Sequence, residues 1–212
     1  MSSPAPRNRP HWLKTVLLIV VWGVAIGLTV AYDKPLADAW FALTEGSIPV
    51  NMAAVLLTQL IKLHIITLIV LLISMLDPRI RWSLMKNAVW VMGAQALGSE
   101  VGKHLFGRLR PDVGNWHTVF YGPTLENGSF GFPSGHATAS FALAAIFTSY
   151  YPRWRWLFII GGVAVAFARV HQGRHFFGDT VAGCALGWYL ALWILSLVRR
   201  PGKPKTVPVE PQ

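Results

Sequence analysis

From Leu13 to Tyr32 the chain runs through TVLLIVVWGVAIGLTVA, with no charge after Lys14. At about 1.5 Å per residue such a run crosses a hydrocarbon core of about 30 Å. Arg7, Arg9 and Lys14 ahead of it suggest a signal peptide as the rival reading. The run is long for a signal h-region and no good small-x-small cleavage site follows, so an uncleaved first span is expected. Composition points the same way. Of 212 residues 53% are hydrophobic and 13% charged, against about 25% charged in a soluble domain.

Further spans follow at 54–76, ending at Asp77-Pro78, and at 82–106, 134–150, 155–171 and 177–198. Residues 33–49, with Asp33, Asp38 and Glu45, read as an external connection containing a short interfacial helix. A loop rich in Gly, Pro and Asn fills 107–132. The expected fold is all-α, six transmembrane helices in a single bundle over 13–198. A disordered tail (1–12) and a basic, proline-rich tail (199–212) flank it. Cys184 is the sole cysteine, which rules out an intrachain disulfide and a cysteine metal cluster; it reads as packing within an apolar helix.

The net charge of +10 could suggest nucleic acid, but its distribution argues against that. Twelve of the 19 Lys and Arg lie on one side of the expected topology, at Arg7, Arg9, Lys14, Arg79, Arg81, Lys86, Arg153, Arg155, Arg199, Arg200, Lys203 and Lys205. The positive-inside rule makes that side cytoplasmic and places both termini there. Five more, Lys103, Arg108, Arg110, Arg169 and Arg174, crowd the external ends of the third and fifth spans. Trp12, Trp40, Trp82, Trp154 and Trp156 fall near span ends, as interfacial anchors do.

Three segments meet on that external face: Lys103 to Arg110-Pro111, Pro133-Ser134-Gly135-His136, and Arg169 to Asp179. Their residue types suit a phosphate. Lys103, Arg110 and Arg169 supply positive charge, and an arginine fork fits phosphate oxygens. Ser134, Gly135 and His136 open a helix, whose free N–H groups favour an anion. His175 and Asp179 are four apart and share a helical face, so the carboxylate can hold one imidazole nitrogen and leave the other as nucleophile or base. Singly, a histidine at a helix end is usually a structural hydrogen bonder, and a terminal Lys or Arg a snorkelling anchor. The joint spacing is far more specific.

That spacing resembles the type 2 phosphatidic acid phosphatase (PAP2) family, whose pattern is K-x6-R-P, P-S-G-H and S-R-x5-H-x3-D. Lys103, Arg110 and Pro111 match the first part, Pro133 to His136 the second, and Arg169, His175 and Asp179 the third. Ala168 stands where the family usually has serine. The resemblance implies that His175 attacks phosphorus, Asp179 orients it, and His136 protonates the leaving oxygen. Lys103, Arg110, Arg169, Ser134 and the Gly135 amide would hold the phosphoryl oxygens, with no metal and no cofactor. Arg108 and Arg174 are accessory candidates for a second phosphate or an anionic headgroup, with surface anchoring the plainer alternative. His171 is a further accessory candidate, more often structural, as is His104. Glu100 is expected to pair with Lys103 or another site cation, and Gln59, Lys62 and His64 to hydrogen-bond between helices or line a polar path.

The expected activity is hydrolysis of a membrane lipid phosphate or pyrophosphate at the outer face of a bacterial inner membrane. Undecaprenyl pyrophosphate, phosphatidylglycerol phosphate, phosphatidate and lipid A phosphate are the candidates, with a slight lean to the prenyl pyrophosphate. A lipid phosphotransferase using the same phosphohistidine is one alternative, and a non-catalytic lipid transporter or scaffold another. A vanadium haloperoxidase has a similar oxyanion site, but those enzymes are soluble.

Overall fold

The structure, a computed structural model, describes residues 11–113, 120–126 and 128–198. Both expected tails, with their basic residues, fall almost wholly outside that range. The described chain is helical: α1 (His11–Ala31), α2 (Asp33–Thr44), α3 (Ile48–Leu60), α4 (Leu63–Leu76), α5 (Arg81–Phe106), α6 (Gly135–Tyr150), α7 (Arg155–His171) and α8 (Phe177–Val198), with a 3-10 turn at Pro152–Trp154. Among the described residues there is no strand, only two isolated bridges, Arg108 to Phe120 and Leu109 to Phe130, which pin the long loop against itself.

Helices α5 to α8 begin and end within a residue or two of the expected spans. The second span differs. It is broken between α3 and α4, where Lys62 takes extended backbone angles (φ −66°, ψ 141°). The break falls at Lys62, the one charged residue of the run, whose side chain is exposed. Residues after Tyr32 form the three-turn helix α2, which leaves α1 at 70°.

By length and composition, Pro152–His171 and Phe177–Val198 would each cross a membrane, and the bent α1–α2 pair would make a third span if taken as one. The other expected spans fall short of that measure for identifiable reasons. Helices α3 and α4 have only 13 and 14 residues. Helix α6 has 16, about 24 Å of rise. Helix α5 is long enough but carries Arg81, Lys86, Glu100 and Lys103. Large apolar side chains nevertheless point outward on most helices, among them Leu17, Ile19, Val89 and Ile160, each more than 60% exposed. In water such a surface would be costly; against lipid it is the expected one.

Helix α6 is the axis of the packing, set against α5, α7 and α8. Its sequence GHATASFALAAIFTSY is small and apolar on every side, and it is buried on every side. The main core forms where Ala139, Ala142, Leu143 and Ile146 meet Leu84, Val91 and Ala88 of α5 and Ala191 and Leu195 of α8. Helix α8 approaches α6 closely through two glycines. A Cβ on Gly183 would lie 2.6 Å from the Ser134 carbonyl, and one on Gly187 would overlap the Thr138 carbonyl. Small residues that let backbones come together are the usual device for packing helices in lipid. Helix α1 is fastened to α8 by Trp22, whose indole N–H donates to the Tyr189 hydroxyl at 2.8 Å.

Candidate active site

The site residues come from helix ends and the short segments that follow them. Helix α5 stops at Gly107, whose left-handed backbone (φ 56°) lets its N–H close onto the Lys103 carbonyl at 2.8 Å. The chain then turns through Arg108 to Arg110, whose N–H donates to the Ser129 carbonyl at 3.1 Å. Ser134 is the N-cap of α6, but its side chain makes no capping bond. Its backbone N–H instead donates to the Asp179 carbonyl at 2.9 Å, which joins the start of α6 to the first turn of α8. Arg169 lies in the last turn of α7, and His175 in the short connection to α8.

The structure brings the three segments together. Arg110, His136 and Arg169 line one polar cavity of about 680 Å³, with Gln59, Lys62 and Arg174 on its rim. Lys103 lines an adjoining cleft that shares Arg110. Lys103, Arg110, Arg169 and His175 all lie within electrostatic reach of His136. Ser134 is fully buried, and its Oγ has no partner among the described residues; the Nε groups of Arg110 and Arg169 are likewise unpaired. Buried polar atoms are normally satisfied. Donors left unsatisfied in this way, together with a helix start, are the kind of groups that an anion binds.

His175 is 2% exposed and Asp179 fully buried. The His175 Nδ1 atom stands 3.0 Å from the Gly131 carbonyl and 3.5 Å from Asp179 Oδ2. A carbonyl can only accept, so Nδ1 carries the proton and Nε2 keeps its lone pair. The closer partner is thus Gly131, which no sequence signal distinguished, and Asp179 supports the ring from slightly farther away. Asp179 Oδ2 also accepts the Phe176 N–H at 3.0 Å.

Burial pushes the His175 imidazole below its usual pKa range, and Arg169 and Arg110 push the same way, against the upward pull of Asp179. The ring therefore stays neutral as the pH falls past the point where an exposed histidine would charge. If neutral His175 is required, the acid limb of kcat/KM that its protonation sets lies below the ordinary imidazole range. A kcat/KM–pH profile of the free enzyme measures this, and an acid limb at the value of an exposed imidazole would contradict it.

The accessory candidates separate. Arg108 is not at the surface; it is fully buried between Asp33 and Asp179, 2.6 Å from each. Arg174 is half exposed and paired with Asp112 at 2.6 Å on the cavity rim. His171 is a structural link, its Nε2 2.7 Å from Asn51 Oδ1 and its Nδ1 3.3 Å from Thr44 Oγ1. Gln172 ties the end of α7 to α3, receiving a bond from Arg169 at 2.6 Å and donating to the Ala54 carbonyl and Thr58 Oγ1, each at 3.1 Å. Lys103 pairs with Glu100 at 2.7 Å, as expected. Ala168, at the position where a serine was expected, is buried in α7. The side chain of His64 lies outside the described residues. Among those described, no group of three His, Cys, Asp or Glu is placed to hold a metal ion.

Comparison with known proteins gives the family and the fold. The PAP2 superfamily model matches residues 85–203, more than half of the chain, and the protein belongs to that family. Lipid A 1-phosphatase of Rhizobium johnstonii is 35% identical over 100 residues, which are 46% of this chain and 41% of that protein. Undecaprenyl-diphosphatase of Sulfolobus acidocaldarius is 35% identical over 98 residues, 45% of this chain and 44% of that one. The chain thus spans less than half the length of these curated relatives. A transmembrane PAP2 type phosphatidylglycerolphosphate phosphatase from Bacillus subtilis, known from its crystal structure, shares the fold, with a TM-score of 0.64 at 22% identity over 87% of this chain and 94% of the other.

Proposed function

We propose that the protein is a membrane lipid phosphatase or pyrophosphatase that works through a phosphohistidine on His175. The observation that carries this is the imidazole itself: Nδ1–H is committed to Gly131, which leaves Nε2 as a neutral nucleophile. Unsatisfied donors on Ser134, Arg110 and Arg169 stand nearby to receive phosphoryl oxygens. Names of the relatives support a lipid phosphate as substrate, since they act on lipid A, undecaprenyl diphosphate or phosphatidylglycerol phosphate.

In the first step Nε2 forms a bond to phosphorus while the bond from phosphorus to the leaving oxygen breaks. His136 gives that oxygen its proton. Water then attacks phosphorus, His136 takes a proton from it, and the P–N bond breaks to release phosphate and neutral His175. Lys103, Arg110, Arg169, Ser134 and the Gly135 amide stabilise charge as it shifts onto the equatorial oxygens. Orienting both termini to the cytoplasm puts the cavity at the outer face, where a headgroup can enter while its chains stay in lipid. In bacteria this is the periplasmic side of the inner membrane.

The test is phosphate release by purified protein in detergent with EDTA. The panel is undecaprenyl diphosphate, phosphatidylglycerol phosphate, phosphatidate and lipid A. Release from at least one lipid at an undiminished rate in EDTA is expected. Loss in EDTA that added metal restores would contradict a metal-free mechanism. Silence of folded protein across the panel, with phosphate passed instead to an added lipid acceptor, would make it a phosphotransferase.

A further inference from the structure

Asp33 belongs to none of the three motifs and lies outside the 85–203 match, yet it is 1% exposed. It opens α2, just past the bend from α1. One carboxylate oxygen accepts the Gly178 N–H at 2.7 Å, in the first turn of α8. The other takes Arg108 Nη2 at 2.6 Å. The same guanidinium reaches Asp179 Oδ1 through Nη1 at 2.6 Å, and it lies over the rings of Phe176 and Phe120, 4.3 and 5.0 Å from their centroids. Asp179 in turn supports His175. Contacts therefore run unbroken from the amino-terminal helices to the nucleophile.

A buried ion cluster is a poor way to hold helices together, because desolvation offsets most of the attraction and apolar side chains would serve as well. The cluster makes better sense as electrostatics for the site. With Asp33 present, one guanidinium faces two carboxylates, and Asp179 keeps part of its negative charge for His175. Without it, Asp179 is the one carboxylate left against Arg108 among the described residues.

We propose that Asp33 is a positioning residue for the reaction: it shares Arg108 with Asp179 and fixes the first turn of α8, so that Asp179 remains able to support His175. This rests on the phosphohistidine reading above. Asp33→Asn tests it, because the amide keeps the shape and an acceptor for Gly178 but loses the charge. On undecaprenyl diphosphate and phosphatidylglycerol phosphate in detergent micelles, kcat per folded molecule falls on the order of 10- to 100-fold. KM stays within about twofold, since no group that touches phosphate has changed. Asp33→Glu, which restores the charge, recovers part of kcat. Adding Arg108→Gln to Asp33→Asn does the same, because no guanidinium then competes for Asp179.

A merely structural role predicts otherwise: the double variant would be no better than the single one, with a lower melting temperature and unchanged kcat per folded molecule. That result, or wild-type kcat in Asp33→Asn, overturns the proposal and leaves the hydrolase reading intact. If Asp33→Asn does not fold, Asp33→Glu and the double variant decide, since neither leaves Asp179 as the one described carboxylate against Arg108. Each then keeps a kcat below wild type but above about a tenth of it, and wild-type kcat in both, or a larger loss in both, overturns the proposal. A wild-type protein inactive on all four lipids of the panel removes the hydrolase reading and this inference together.

Discussion

His175→Ala lowers phosphate release by at least about 10³-fold and leaves no trappable phosphoenzyme. With Nδ1 engaged by Gly131, the imidazole keeps a free lone pair on Nε2, and it lies within electrostatic reach of Arg169, Arg110 and His136. Alanine removes the attacking atom and leaves the donors on Ser134, Arg110 and Arg169 in place, so lipid binding is expected to survive. The ring is buried, so its loss also leaves the Gly131 carbonyl without its donor, which costs on the order of 1–3 kcal/mol. Size-exclusion profile and melting temperature must therefore accompany the assay. Near-normal turnover in folded protein would sink the nucleophile assignment. Lipid translocation persisting in a variant without hydrolase activity would revive the transporter alternative.

Gly187→Ala is expected to prevent recovery of folded protein. The added methyl would sit on the Thr138 carbonyl, and backbone cannot swing aside as a flexible side chain can. Overpacking a core typically costs about 1–3 kcal/mol, and a clash against helix backbone belongs at or beyond the top of that range. The damage reaches the chemistry, because the same helix crossing sets Ser134 against Asp179. Gly161→Ala is the control, since nothing lies within 4 Å of its added Cβ. Monodisperse yield in detergent and melting temperature read both. A stable Gly187→Ala protein would mean that α6 and α8 are not packed as described.

Much of this was legible in the sequence because it was local. Apolar runs and their proline, glycine and charged ends marked α5 to α8 to within a residue or two. Motif spacing marked Lys103, Arg110, Ser134, His136, Arg169, His175 and Asp179, which do converge. What was not legible depends on partners far apart in the chain. Gly178 and Asp33 are separated by 145 positions, and Arg108 read as an accessory cation because nothing nearby revealed its two carboxylates. Gly131 acts through its carbonyl, which every residue possesses, so its identity carried no signal. The break at Lys62 lacks the proline or glycine that usually announces one.

The contrast between the α6–α8 seam and the outward faces bears on how such a protein can diverge. Residues such as Leu17, Ile19, Val89 and Ile160 meet no neighbour that fixes their shape, and one apolar side chain there can replace another at little cost. At Gly183 and Gly187 even a methyl is excluded. Substitutions should accumulate on the periphery while the seam stays fixed, and sequence identity would then decay much faster than backbone geometry. A fold shared with the Bacillus subtilis protein at 22% identity is what that asymmetry would produce.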